Sequence, residues 1–163
     1  MEITQTATFA ELRYERPVME TVAKAMEQAL EQFASAQDLT TVQEAMDTIY
    51  GIRADFDRAY NIAYVRHSCD TRDAFYEAEN AFFDEQLPVF AQYKSQFYQA
   101  LLDTPFREEL VNVHGRQLFA IAELSLRTFR PEIIEDLQEE NRLASAYTKL
   151  KAGAQIDLRG ETY

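Results

Sequence analysis

Apolar residues recur at three- and four-residue steps along most of this chain, the spacing of one face of a helix. Met19, Val22, Met26, Leu30 and Phe33 make one such stripe and predict a helix from about Pro17 to Ala36. Pro17 suits its first turn, where a missing N–H costs nothing. Thr8 and Glu11 ahead of it have capping-box spacing. A second helix is expected from about Thr41 to His67 through Val42, Met46, Ile49, Phe56, Tyr60 and Ala63. Thr40 or Thr41 can cap it, with Glu44 three residues after Thr41. Gly51 costs that helix about 1 kcal/mol against alanine.

The polar run Asp70–Asp73 restarts a helix with a carboxylate in its first turn. This third helix carries a wide apolar band. Phe75, Phe82, Phe90, Tyr93 and Phe97 lie on one side, and Tyr76, Phe83, Leu87, Tyr98 and Leu101 on the other. A band that wide needs more than one neighbour, so the helix should be central. Pro88 inside it removes a backbone bond, and a kink is expected near Asp84–Leu87. A fourth helix is predicted over about Pro105–Arg127, with Leu110, His114, Leu118, Ile121 and Ser125 in line. A fifth is predicted from Pro131 to about Lys151 through Ile133, Leu137, Ala144, Tyr147 and Leu150. From Ala154 to Arg159 the period changes to two, that of a strand. Gly160-Glu161 reads as a turn and Thr162-Tyr163 as the first step of a returning strand, a half-hairpin without a partner.

The fold class is therefore all-α: about five long helices, up and down in order, with a short truncated strand at the C-terminal end. Residues 1–15 read as an arm, 16–152 as a helical domain, and 153–163 as the start of a hairpin that breaks off. Four Gly and four Pro in 163 residues leave little material for the turns of an all-β fold. At this length folding buries roughly 68–70% of the unfolded surface, enough for one core. The net charge of −12 argues against nucleic acid as a partner. No apolar run approaches the ~20 residues of a membrane span, and no basic amphipathic stretch suggests a membrane surface. MEITQTATF has no positive n-region and no apolar h-region, so no secretory signal is expected. Cys69, without a second cysteine, suits a reducing cytoplasm.

Three strings carry more than periodicity: TFAELRYERP (8–17), YVRHSCDTRDAFYEAENAFFDE (64–85) and GRQLFAIAELSLRTFRPEIIEDLQEENRLASAYTKLKAGAQI (115–156). They resemble the N-terminal region of the oligoendopeptidase F family of zinc metallopeptidases, over about Thr8 to Gly160. The resemblance implies a helical portion forming one wall of a deep channel. It also implies a larger catalytic portion elsewhere in the parent enzyme, where H-E-x-x-H and a later glutamate bind zinc and water is activated. Short unfolded peptides enter such a channel. This chain has no H-E-x-x-H, so no catalytic, cofactor-binding or metal residue carries over, and the chain alone is expected to be inactive.

The candidate chemistry is sparse. His67 and Cys69 lie two apart across a helix break, and His114 is distant; packing at a helix end and along an apolar face explains the histidines better than zinc ligation. The positions three before them, Tyr64 and Val111, exclude the Glu-x-x-His pairs of a di-iron bundle. Cys69 as a nucleophile lacks an orienting third group. Glu79 lies inside the apolar band of the third helix, where a carboxylate needs a partner or a proton. If the second and third helices fold back at Cys69–Asp70, Tyr60 comes opposite Glu79 and Arg53 opposite Gln86. These four read as a polar network between two helices, or as groups facing the channel of the intact enzyme. The acidic runs at Glu132–Asp136 and Gln138–Asn141 read as a solvated helix face.

The leading expectation is thus the N-terminal helical portion of an oligoendopeptidase F-like enzyme. Its partners would be the missing catalytic portion, short peptides and, through uncovered apolar surface, copies of itself. The alternative is a stand-alone, non-enzymatic helical interaction module. A cysteine-dependent enzyme at Cys69 is a third reading.

Overall fold

The computed structural model describes residues 8–155 and 157–162. The chain enters as a strap. Thr8 donates its backbone N–H and its hydroxyl to the Glu11 carboxylate, both at 2.8 Å, closing the expected box around a single 3-10 turn at Phe9–Glu11. Residues 12–18 carry no regular secondary structure and lead into α1 (Met19–Ser35).

α2 (Leu39–Cys69) begins two residues before the expected position. Its cap is Asp38 rather than Thr40 or Thr41: the Asp38 carboxylate accepts from the Thr41 backbone N–H at 2.8 Å and the Thr41 hydroxyl at 3.1 Å. An aspartate two residues upstream of Thr40 offers the same short acceptor with a charge that favours the positive end of the helix dipole. Asp73 caps α3 (Ala74–Asp103) in the same way, accepting from the N–H groups of Phe75 and Tyr76.

α3 is the hub, packing against α1, α2, α5 and α6. Phe83, Phe97 and Leu101 are fully buried on it. They meet Phe33 of α1 and Phe56 of α2, whose ring stacks on Phe90 at 4.1 Å. Met26, Val42, Met46 and Ile49 fill the α1–α2 side.

The fourth predicted helix is two. α4 (Arg107–His114) ends at Gly115, and α5 (Arg116–Thr128) starts directly after it. Gly115 sits at φ 80°, ψ 163°, a conformation that a side chain disfavours and that no helix contains. The break changes which face is buried. Leu110, Phe119 and Ala122 point inward, while His114 and Ile121, expected on the apolar line, are exposed. Pro105 lies in the turn before α4 and not in its first turn. Pro131 opens a 3-10 turn that leads into α6 (Ile134–Ala152).

α3 runs unbroken through Pro88. Proline has no N–H for the carbonyl four residues earlier, that of Asp84. α6 supplies the missing donor: the Asn141 amide donates to Asp84 O at 3.0 Å, and Gln138 donates to the neighbouring Glu85 O at 2.8 Å. The proline therefore specifies a docking place for α6.

The expected unpartnered strand is instead one side of a small ladder. β1 (Asp157–Leu158) pairs antiparallel with β2 (Glu161–Thr162), in register Asp157 with Thr162 and Leu158 with Glu161. The turn is Arg159-Gly160, both at positive φ (56° and 83°), as a two-residue primed turn requires. It does not fall at Gly160-Glu161. Residues 1–7 of the expected arm, and Ile156 and Tyr163 of the expected strands, lie outside the described residues.

Candidate functional site

Glu79 is buried, as its place in the apolar band implies. Its partners come from the strap. Tyr14 donates its hydroxyl to Glu79 Oε2, and the Arg16 guanidinium grips both carboxylate oxygens, Nε to Oε2 at 2.8 Å and Nη2 to Oε1 at 2.6 Å. In non-helical chain two residues apart, both side chains reach one carboxylate. The bonds from Arg16, the main cause, hold the Glu79 carboxyl below the ordinary carboxylate range. Burial, followed by the hydrogen bond to Glu79 and then its charge, pushes the Tyr14 hydroxyl well above the ordinary tyrosine range. Arg16 also lies over the Phe82 ring at 4.7 Å. Arg66 anchors the strap from α2, donating to Leu12 O at 2.7 Å and to the Tyr76 hydroxyl.

The other three residues expected with Glu79 are not among its hydrogen-bond partners. Tyr60 is half-buried, its ring against Tyr64 at 5.7 Å and Phe83 at 5.6 Å. Arg53 and Gln86 are half-buried on α2 and α3. Among the described residues none of the three hydrogen-bonds to Glu79. Tyr14 and Arg16, which do, escaped helical periodicity because they sit outside any helix. Their two-residue spacing was the available signal.

A second polar cluster joins α3 and α6 near the proline bridge. Ser145 donates to Asp84 Oδ2 at 2.7 Å, and the buried Asn80 donates to the same oxygen at 3.2 Å and to Ser145 Oγ at 3.0 Å. These groups line a cleft of about 170 Å3 together with Tyr60, Tyr64 and His67. Burial is the largest influence on Asp84 and pushes its carboxyl upward. Two carboxylates five residues apart on one helix are thus shifted in opposite directions, Glu79 by a guanidinium and Asp84 by desolvation. At the rim, Lys149 of α6 is ion-paired with Glu77 of α3.

The metal and thiol candidates stay apart. His67 is buried in the last turn of α2, and its Nδ1 has no partner among the described residues. Cys69 is exposed at the end of that helix, and His114 is exposed at the end of α4. Among the described residues no three His, Cys, Asp or Glu side chains gather to hold a metal ion. No helix of the described residues is long and apolar enough to cross a membrane.

Apolar surface is concentrated late in the chain. Leu143, Tyr147 and Leu150 recur at four and three residues on α6 and are 59%, 62% and 72% exposed. They share one helix face, and nothing in the described fold covers it. Ile121 and Leu124 form a smaller exposed pair on α5.

The chain matches the Peptidase M3 N-terminal domain over residues 9–129. Among solved structures it is similar to PZ peptidase A in complex with an inhibitor, with 45% identity and a TM-score of 0.93 over 96% of this chain. An oligoendopeptidase F structure matches at 44% identity and 0.93 over 97%. An oligoendopeptidase F from Bacillus anthracis str. Ames matches at 44% and 0.91 over 95%. In each case this chain spans 28% of the other's length. No curated protein matches the chain.

Proposed function

We propose, from the premise that this chain belongs to the peptidase M3 family as its N-terminal domain, that it is the non-catalytic helical wall of an oligoendopeptidase F-like zinc metalloendopeptidase. The whole enzyme would hydrolyse peptide bonds in short oligopeptides, and this part would shape the channel that admits them. The observation that carries the reading is the agreement of nearly the whole chain, at 45% identity and a TM-score of 0.93, with little more than a quarter of a peptidase. Zinc would be held elsewhere in that enzyme, since the donors among the described residues do not assemble into a site. The remaining portion would dock on the Leu143–Tyr147–Leu150 face of α6, an apolar stripe left open among the described residues. Glu79, Tyr60, Arg53 and Gln86 are then wall residues, with Glu79 fixing the strap. The cytoplasm suits the lone exposed thiol.

A chimera tests this. The matching 28% of the oligoendopeptidase F is replaced by this chain, and cleavage of a quenched-fluorescent short peptide is followed. The chimera is expected to cleave, and the 163-residue chain alone is not. Zinc-dependent cleavage by the chain alone, or a folded chimera without activity, contradicts the assignment.

The same apolar stripe supports a second reading, a helical interaction module that binds another protein or a second copy of itself. In that case the chain would associate in solution with no peptidase portion present.

A further inference from the structure

The cleft between α2, α3 and α6 holds a carboxylate, that of Asp84, and no Lys or Arg lines it. Asp84 is half-buried at its edge, and the two groups that bond its Oδ2, Ser145 and Asn80, are neutral. Among the described residues no Lys or Arg pairs with it. Lys149, on the α6 side, is committed to Glu77, and Glu85 adds a second negative charge nearby. Three further donors that line the cleft are spent on backbone. Ser68 donates to Tyr64 O at 2.8 Å, Thr148 to Ala144 O at 3.0 Å, and Asn141 to Asp84 O. The far wall is aromatic, the rings of Tyr60 and Tyr64 lying 5.7 Å apart, and aromatic faces attract cations. His67 lines the same space with only 6% of its surface exposed and an unpartnered Nδ1, which marks the cleft as unfilled by the protein's own groups.

The geometry points to a binding site for a small primary ammonium group, held by the Asp84 carboxylate against the Tyr60–Tyr64 wall. An ammonium brings several N–H donors on one permanent positive charge, which no Lys or Arg of the lining supplies. About 170 Å3 admits an ammonium on a short carbon stem and excludes a bulky ligand. A chain of net charge −12 also draws cations to its surface. Two sources share this chemistry, a free small amine and the amino terminus of a short peptide.

The experiment titrates the 163-residue chain and follows the His67 ring and Asn80 side-chain resonances by NMR. The probes are ethylammonium chloride against ethanol, its neutral counterpart, and triglycine against N-acetyltriglycine. Saturable shifts with ethylammonium are expected, with ethanol at least tenfold weaker and the Asp84→Asn variant weakened by a similar factor. Binding of triglycine but not of its acetylated form would assign the site to peptide amino termini; ethylammonium binding without triglycine binding would assign it to free amines. No saturable shift with either amine, or ethanol and N-acetyltriglycine binding as well as their charged counterparts, overturns the proposal. The wild-type comparison decides this even if Asp84→Asn fails to fold.

Discussion

α2 and α6 both pack on α3, by opposite means. α2 sinks a row of side chains from Val42 to His67 into the core, with Phe56 between Phe83 and Phe90. α6 buries no residue fully. It is held by side-chain amides on the carbonyls around Pro88, by Ser145 on Asp84 and by Lys149 on Glu77. Hydrophobic burial is non-directional and scales with area; hydrogen bonds to particular carbonyls fix position while adding little net stability. The first interface makes the fold, and the second places a helix whose outer face remains free for something else. A helix that buries no residue fully also sits toward the low end of local stability, where it can open without global unfolding.

The largest expected effect comes from the α2–α3 side. Phe83→Ala removes a fully buried ring beside Phe56 and Tyr60. It should cost about 3–5 kcal/mol. At about 2–4 °C per kcal/mol for a chain of this size, melting should fall by roughly 6–20 °C across the whole molecule.

On the α6 side the loss should be smaller and local. Removing both amides with Gln138→Ala and Asn141→Ala should cost about 1–3 kcal/mol, read as faster hydrogen exchange in α6 with α2 unchanged. Pro88→Ala sharpens this, since it restores the N–H that Asp84 O lacks. In that background the Asn141→Ala cost should shrink, and a double-mutant cycle measures the coupling. Equal costs with and without the proline would show that the amides do not serve the carbonyls it frees.

The strap gives a still smaller effect with a pH signature. Glu79→Gln should cost about 1 kcal/mol near neutral pH, discounted because Arg16 is half exposed. The folded-state carboxyl lies below its unfolded value, so the unfolded chain binds the proton more tightly. Its stabilisation is therefore complete above the ordinary carboxylate pKa of ~4.3 and fades as pH falls through the lower folded value. Urea melts should show a wild-type advantage at pH ~7 that closes in acid. Asp84 has the opposite sign, its carboxyl raised by burial. Its stability contribution is present below the unfolded pKa and is lost as pH rises through the folded one.

Smallest in stability, within about 0.5 kcal/mol, is Leu143→Lys with Leu150→Lys on the open face of α6. The pair should nevertheless abolish any self-association seen by light scattering at high concentration. Association that persists would move the sticky surface elsewhere.

Local rules read from the sequence held where one helix face meets one core. The stripes of α1 and α2, the wide band of α3 apart from the exposed Phe75, and the Thr8–Glu11 box needed only spacing and side-chain chemistry. Gly115 escaped because one glycine inside a helical pattern is usually tolerated, and its positive φ shows only once the chain packs. The partners of Glu79 escaped because Tyr14 and Arg16 lie more than sixty residues away on a segment with no period to read. The unmet valence of Pro88 was legible, whereas its satisfaction by Asn141 required knowing that α6 returns to α3.

Hydrogen exchange compared between the 163-residue chain and the same chain carried in the oligoendopeptidase F chimera tests the docking role most directly. Amides of α6 should become strongly protected in the chimera, with those of α2 unchanged. Identical α6 exchange in the two proteins would contradict it.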